Sequence, residues 1–323
     1  MKRAPSSLDG TPSVAARWFG YVHRHLPNLQ PYAGFLSLVF AVYVRWAVAL
    51  GPYSGFGVSP TYGDYEAQRH WMELTWHLPI QKWYTYTPDY WRLDYPPLSA
   101  YVSWLWGLVA HYIDPSWVAL ETSQGIETPE SKLFMRTTVL VCELVVYVSA
   151  LAVYFRQTPQ SSWVKSQTVW LLVLLQPALI LIDHGHFQYN AVMLGCVVWA
   201  LACFQRQRFL AGAVCFCGAL IFKQMALYYA PAIFAYLLGQ CWIRPRGFRL
   251  FLQLSFTVLV TFAVCFAPFL TSLNSFLQVV QRIFPVHRGL FEDKVANVWC
   301  ALNVIVKLRQ IWDIPTLFRL SAG

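Results

Sequence analysis

The sequence predicts an all-α membrane protein that crosses the bilayer several times, and its composition and its repeated apolar runs both point to this class. Of the 323 residues, 57% are hydrophobic and 12% are charged, against about 25% charged in an average soluble domain. Apolar runs recur at residues 34–50, 98–113, 137–154, 168–182, 191–204, 209–222, 226–238 and 250–270. Because a perpendicular helix needs about 20 apolar residues to span a bilayer, the shorter runs must borrow neighbouring residues or be re-entrant.

The basic residues predict the orientation of these helices. The net charge is +9, and residues 1–30 are polar and basic and lack the apolar core of a cleavable signal peptide. Cations with almost no acidic neighbours occur in short stretches between the apolar runs, at Lys2, Arg3, Arg17, Arg24, Arg156, Lys165, Arg206, Arg208, Arg244, Arg246 and Arg249. By the positive-inside rule these stretches are cytoplasmic, including an N-terminal segment 1–33. The membrane topology therefore explains the excess of basic over acidic residues, and this excess gives no argument for a nucleic-acid partner. Membrane lipids are the expected surroundings of the basic loops.

The remaining polar loops, 53–97, 183–190 and 271–297, carry most of the other ionisable groups and are expected on the extracytoplasmic side. The run 98–113 and the polar segment 114–136 do not fit a simple alternation of sides. They require either a hairpin or a broken span, and the sequence leaves both open.

The polar stretch 63–73, GDYEAQRHWME, is the strongest candidate site. It predicts an amphipathic helix, since Ala67, Trp71, Leu74 and Leu78 form one stripe and Glu66, His70, Glu73 and His77 form another. Asp64 stands at the helix entrance, where it is either an N-cap or a functional acid. In a membrane protein an ionisable cluster is a functional candidate by default, so Arg69 and His70 are candidate substrate ligands.

Asp94 follows an aromatic stretch and precedes Tyr95-Pro96-Pro97. Aromatic rings stack on sugars, but they are also enriched at membrane interfaces. Asp94 is accordingly either a substrate ligand or a turn residue before a helix.

The segment DHGHFQYN, residues 183–190, places several polar groups between two apolar runs. Its two histidines are two residues apart, a spacing that on a helix disfavours a shared zinc ion. We therefore interpret His186 and Gln188 as hydrogen-bond donors to a phosphate. Lys223 ends an apolar run, and it either binds phosphate or extends to the interface.

A fourth polar segment, FPVHRGLFEDKVANVWC, contributes Arg288, Glu292 and Asp293 as candidate donor or substrate ligands. The guanidinium of Arg288 suits phosphate oxygens, while salt bridges within the segment are the structural alternative.

In chain order, GDYEAQRHWMEL with LPIQKWY, LDYPPLSAY, KLFMRTTVL, DHGHFQYN, FKQMALYYAP and FPVHRGLFEDKVANVWC resemble the eukaryotic endoplasmic reticulum α-1,3-glucosyltransferases that use dolichyl phosphate glucose. The likeness is greater to the member that adds the first glucose to the lipid-linked oligomannose. It extends over most of the chain.

This resemblance implies a GT-C type transmembrane helical bundle over residues 34–323, with amphipathic helices in a first lumenal loop, 51–97, and a lumenal active site in the endoplasmic reticulum membrane. It implies dolichyl phosphate glucose as donor and a diphosphodolichol-linked oligomannose as acceptor. A β-linked donor and an α-linked product require inversion, and the resemblance assigns Asp64 as the base.

Relatives of this family continue beyond the last motif, so we expect the chain to be C-terminally truncated. A membrane transport or binding protein, or an inactive truncated form, is the alternative reading. We expect no cofactor and no metal, since each acid stands beside a cation or donor that can supply the charge instead; a divalent ion on Glu292 and Asp293, or on Asp64 with Glu66, is the alternative.

Overall fold

The computed structural model describes residues 12–158, 160–284, 298–313, 315–317 and 319. Within those ranges the chain is helical and contains no strand, which confirms the all-α prediction. Five helical stretches are long and apolar enough to cross a membrane: Pro27–Ala49, Pro129–Gln157, Trp163–Phe187, Gln224–Ile243 and Gly247–Phe269. Two shorter apolar helices, Asn190–Gln205 and Phe209–Phe222, accompany them.

The chain forms two compact units, Met1–Val279 and Val280–Gly323. The α-helices that lie in the first unit, or begin there, are α1 Val14–His25, α2 Ala33–Ala49, α3 Gly63–His77, α4 Pro97–Ile113, α5 Pro129–Cys142, α6 Ser149–Gln157, α7 Trp163–Leu174, α8 Pro177–Leu179, α9 Asn190–Gln205, α10 Phe209–Phe222, α11 Ala230–Ile243, α12 Gly247–Phe266 and α13 Leu273–Ile283. The second unit contains α14 Val298–Ile305 and α15 Leu308–Ile311. The expected boundary between 1–33 and 34–323 remains a prediction.

Two π-helical segments interrupt the regular helices. Glu143–Val148 joins α5 to α6, and Ile180–Phe187 lies between α8 and the start of α9. Such segments often occur at functional positions, because they turn side chains away from the ordinary helical register. The second one carries both histidines of the DHGHFQYN motif.

Helix α4 packs along α3, so the apolar run 98–113 forms half of a helical hairpin. A Cβ at Gly107 would lie 2.5 Å from the Met72 carbonyl oxygen, so only glycine permits the close approach of the two helices. After α4 the chain returns to α3, where Arg69 Nη1 donates to the Trp117 carbonyl at 3.0 Å. These contacts agree with the hairpin, and the alternation of sides along the other helices remains a prediction.

The loops that carry the isolated cations meet at one end of the bundle. Gln205 Nε2 donates to Thr158 Oγ1 at 3.0 Å, which joins two of these loops. Arg244 Nη2 donates to Gln207 Oε1, which joins a third loop to them. The His23 ring stacks on Trp163, with centroids 5.5 Å apart. The loops around Asp64 lie at the other ends of the same helices. This agrees with the expectation that the basic loops and the loops that carry the other ionisable groups lie at opposite ends.

Helix α3 is enclosed on every side, because all residues from 65 to 75 are buried. The sequence predicts a polar stripe on this helix, and a polar stripe ordinarily faces water. Here the stripe instead faces the segment 114–128, which follows α4 and covers it. Glu66, Arg69 and Glu73 bond one another there in a buried network. The apolar pattern therefore predicts the helix correctly but not the burial of its polar face.

Candidate active site

Asp64 lies in the first turn of α3, at the end of a tight loop. Tyr62 (φ 52°) and Gly63 (φ 66°) both have left-handed backbone conformations, and a Cβ at Gly63 would lie 2.7 Å from the Ser54 carbonyl oxygen. The residue at the N-cap position is Tyr62, and its side chain caps nothing. The N-cap interpretation of Asp64 is therefore wrong, because the helix begins before it.

The Asp64 carboxylate is held by two side chains from the DHGHFQYN segment. Its Oδ2 accepts a hydrogen bond from Gln188 Nε2 at 2.9 Å, and His186 Nε2 lies 2.9 Å from the same oxygen. The side chains of Asp64 and His186 are 44% and 48% exposed. Among the described residues, the other oxygen, Oδ1, has no hydrogen-bond partner, so one carboxylate oxygen is anchored and the other is open.

The local backbone explains why His186 and Gln188 both reach Asp64. Phe187, between them, has a positive φ of 90° and is fully buried, with its ring centroid 4.8 Å from that of Tyr65. A positive φ in a bulky residue is costly and persists where packing holds it. With the Phe187 ring fixed in the core, its two neighbours face the same way, toward Asp64.

Asp183 ties this segment to the start of α9. Its Oδ2 accepts from the Ala191 amide at 2.7 Å, and its Oδ1 accepts from the backbone and the side-chain amide of Asn190 at 3.1 and 2.9 Å. These bonds satisfy donors at a helix N-terminus that would otherwise be unpaired. Asp183 thus positions the loop and does not face the open side of Asp64.

Lys223 lies in the turn after α10, outside the helices that cross the membrane, and it is 5% exposed. Its Nζ donates to Gln188 Oε1 at 3.0 Å and to Asn190 Oδ1 at 2.7 Å, and it lies 4.9 Å from the Tyr95 ring centroid. Burial lowers the pKa of Lys223 to about 8, while the charges of Asp183, Asp64 and Asp94 oppose that shift. The buried position shows that this lysine does not extend to the interface.

Tyr95 and Asp94 belong to the same neighbourhood. Tyr95 donates from its hydroxyl to Gln188 Oε1 at 3.3 Å, and burial raises the pKa of that phenol. Asp94 is partly buried, and its charge acts on both Tyr95 and Lys223. The structure therefore brings together five residues that the sequence singles out: Asp64, Asp94, His186, Gln188 and Lys223.

Arg69 and His70 lie elsewhere, on the covered side of α3. Arg69 is 1% exposed and binds two carboxylates, with Nη2 at 2.6 Å from Glu66 Oε1 and 2.7 Å from Glu73 Oε2. Residues five and six positions after Asp64 are rotated by about 140° and 120° from it around the helix. The structure thus separates both residues from the Asp64 carboxylate, although the sequence groups them with it.

The same network fastens the segment 114–128 to α3. Arg69 Nη1 also donates to Ser123 Oγ at 2.7 Å, and Glu73 Oε1 accepts from the Glu121 amide at 2.7 Å. Burial alone would raise the pKa of Glu73, but the contact with His70 and the charge of Arg69 lower it to about 2. His70 is fully buried, its Nδ1 is 3.2 Å from Glu73 Oε2, and its ring meets Tyr90 edge-on.

His184 points away from His186, into the helical bundle. Its Nε2 lies 2.6 Å from Glu143 Oε2, and Glu143 also accepts both Nε and Nη2 of Arg45 at 2.7 Å. Across the described ranges no group of three or more His, Cys, Asp or Glu side chains is arranged to hold a metal ion. Arg288, Glu292 and Asp293 lie outside the described residues.

Three residues of this site are not among the ligands that the sequence predicts: Tyr95, Asn190 and Asp183. Asp183 acts by anchoring the loop. Each belongs to a motif that carries the family resemblance, LDYPPLSAY or DHGHFQYN. Their positions inside those motifs are the signal that could have indicated them, because each is polar and lies within three residues of a predicted ligand.

The comparisons with known proteins agree with these motifs. The model of the ALG6, ALG8 glycosyltransferase family matches residues 41–318. The chain is 48% identical over 293 residues to the dolichyl pyrophosphate Man9GlcNAc2 alpha-1,3-glucosyltransferase of Gallus gallus, covering 88% of this chain and 58% of that relative. It is 48% identical over 306 residues to the probable enzyme of that name in Schizosaccharomyces pombe, covering 92% and 60%.

The Saccharomyces cerevisiae relative of the same name is 46% identical over 312 residues, covering 93% of this chain and 56% of the relative. The chain thus spans between 56% and 60% of the length of these three relatives. Because the family model matches most of the sequence, the chain belongs to the ALG6, ALG8 glycosyltransferase family.

Proposed function

We propose that the chain is an inverting glucosyltransferase that moves glucose from dolichyl phosphate glucose to the oligomannose of a diphosphodolichol-linked oligosaccharide, in an α-1,3 linkage. The single observation that carries this proposal is the Asp64 carboxylate, anchored through Oδ2 and open at Oδ1. The names of the curated relatives support the acceptor class and the linkage. We place the reaction on the lumenal side of the endoplasmic reticulum membrane, opposite the basic loops.

Inversion at the anomeric carbon requires one displacement, with a base on one side of the sugar and a stabilised leaving group on the other. Asp64 Oδ1 takes the proton of the acceptor hydroxyl as its oxygen forms the new bond to the glucose C1. The bond from C1 to the phosphate oxygen breaks, and its electron pair leaves with dolichyl phosphate. The hydrogen bonds on Oδ2 keep the carboxylate oriented before the acceptor arrives.

Lys223, His186 and Gln188 give this site its cationic and hydrogen-bonding side. Gln188 connects Lys223 to Asp64, since its carbonyl accepts from Lys223 and its amide donates to Asp64. A buried ammonium is effective at stabilising developing negative charge, because little water competes with it. We assign Lys223 and His186 to the leaving phosphate and Asp94 to the sugar hydroxyls, and the Lys223 ammonium with the His186 N–H donor acts in place of a metal ion.

Replacing either of these donors is expected to slow the transfer step. Lys223→Ala and His186→Ala should each lower turnover on the order of a hundredfold. Dissociation constants for the donor should change far less, because the negative charge grows mainly in the transition state. Lys165→Ala, at the other end of the bundle, is the matched control for loss of a lysine. A change confined to donor affinity would assign these residues to ground-state binding instead.

The proposal is tested by reconstituting the 323-residue protein in lipid nanodiscs with dolichyl phosphate glucose and a lipid-linked oligomannose. We expect one glucose to be added in an α-1,3 linkage. A full-length relative, assayed in parallel, is the positive control. The same result is expected after chelation and elemental analysis that confirms metal removal. Binding of the donor without any transfer would favour a binding or transport protein, and loss of turnover that one divalent ion restores would refute metal-free transfer.

A further inference from the structure

A second cationic site lies where the end of α2 meets the start of α5, in the KLFMRTTVL motif that the proposed transfer does not use. It is a cavity of about 220 Å³. Its walls are formed by Trp46, Ala49, Leu50, Pro129, Lys132, Leu133 and Arg136. The lining is apolar except for the two cations, which stand one helical turn apart on α5.

Arg136 is 2% exposed, yet its guanidinium is only partly satisfied. Nη2 donates to the carbonyls of Pro52 at 3.3 Å and Gly185 at 3.0 Å, while Nε and Nη1 meet no acceptor among the described residues. Buried side-chain donors almost always have a partner, and a buried one without a partner requires an explanation. The guanidinium also lies over the Tyr53 and Phe187 rings, at 5.8 and 5.7 Å.

The lack of a carboxylate distinguishes this arginine from the other two buried arginines of the described chain. Arg45 is bound by Glu143 and Arg69 by Glu66 and Glu73, each at 2.7 Å or less. No ion pair joins Arg136 or Lys132 to an acid within the described ranges. Lys132 Nζ donates once, to the Leu50 carbonyl at 2.9 Å, so two of its three donors remain.

We propose that this cavity binds the phosphate group of a membrane lipid, with phosphate oxygens on Nε and Nη1 of Arg136 and on Nζ of Lys132. A planar guanidinium beside an ammonium suits a phosphate mono- or diester. The volume is below that of ordinary pockets for whole small molecules, so it fits a phosphate group better than a saccharide. Trp46, Leu50 and Leu133 provide an apolar wall for the adjoining hydrocarbon chain.

The position of the cavity supports a lipid as the source of that phosphate. It lies at the ends of two helices that are long and apolar enough to cross the membrane, Pro27–Ala49 and Pro129–Gln157. Phosphate groups of lipids occupy the same depth, at the border between hydrocarbon and water. The site is distinct from Asp64, but Arg136 holds the Gly185 carbonyl, next to His186.

The test measures binding to the purified 323-residue protein, so it does not depend on transfer activity. Farnesyl diphosphate, phosphatidylglycerol, inorganic diphosphate and farnesol are titrated against wild type, Lys132→Gln and Arg136→Lys, with the exposed Lys82→Gln as the matched control. We expect saturable binding of the phosphate-bearing lipids, weakened about tenfold in Lys132→Gln and in Arg136→Lys but not in Lys82→Gln. Farnesol should show no dependence on these residues.

The four ligands separate the possible sources of the phosphate group. Displacement of farnesyl diphosphate by phosphatidylglycerol would assign the cavity to phospholipid headgroups, and its absence would assign the cavity to isoprenyl phosphates. Equal affinity for inorganic diphosphate would overturn a lipid ligand. Unchanged affinity in Lys132→Gln, which alters a partly exposed side chain and should leave the fold intact, would overturn the site even if Arg136→Lys fails to fold.

Discussion

Asp64→Asn is expected to abolish transfer while the protein still folds and binds the donor. An asparagine oxygen can accept the hydrogen bonds that Gln188 and His186 make to Oδ2, but the amide cannot take a proton from the acceptor hydroxyl. Loss of a general base typically costs a factor of about 10² to 10⁴ in rate. The rate of glucose transfer is measured in a single turnover, and the affinity for the donor is measured on the same preparation.

Asp89→Asn is the matched control, because Asp89 is an exposed acid in the same loop region as Asp94. It should retain wild-type turnover. If Asp64→Asn transfers glucose at the wild-type rate with an intact fold, another group is the base, and the assignment of Asp64 is lost.

Arg69→Met is expected to destabilise the protein more than any substitution at the proposed site. It would leave the buried carboxylates of Glu66 and Glu73 facing each other without their cation, and would remove the bonds to Trp117 and Ser123. Removing one partner of a buried ion pair typically costs about 3–5 kcal/mol. A fall in thermal unfolding temperature in detergent, with the segment 114–128 becoming susceptible to protease, would report this loss.

Arg92→Met provides the comparison, since Arg92 is exposed and its side chain bonds only the Pro88 carbonyl among the described contacts. It should unfold like wild type. Should Arg69→Met unfold at the same temperature as Arg92→Met and yet lose donor affinity, Arg69 would be the substrate ligand that the sequence suggests, and the structural role would be wrong.

The sequence correctly predicts the class of fold, and the structure places Asp94, His186, Gln188 and Lys223, which the sequence singles out, near Asp64. Five of the eight apolar runs coincide with helices that are long and apolar enough to cross a bilayer. Lys223 and His186 stand out in the sequence because polar groups between such runs are costly. The sequence does not show which neighbouring segment each face of a helix packs against. Arg69 follows Asp64 closely in the chain but faces the other side of α3, and only the packing of the segment 114–128 reveals that it is buried.

The path of α4 and the cation pair of α5 were beyond prediction for a related reason. Residues 98–113 have the apolar character of a span, and only the contact of Gly107 with Met72 shows that they fold back along α3. Lys132 and Arg136 have no distinctive spacing in the sequence. Whether these two cations are paired or free to bind an anion depends on which acids lie nearby, and only the tertiary structure shows that.

The anomeric configuration of the transferred glucose tests the central claim most directly. The product of the purified 323-residue protein, formed from β-linked dolichyl phosphate glucose, is isolated and its anomeric coupling constant is measured by NMR. A single displacement assisted by Asp64 predicts the α configuration with no glucosyl-protein intermediate at any time point. A β-linked product, or glucose covalently attached to the protein during turnover, would contradict that mechanism.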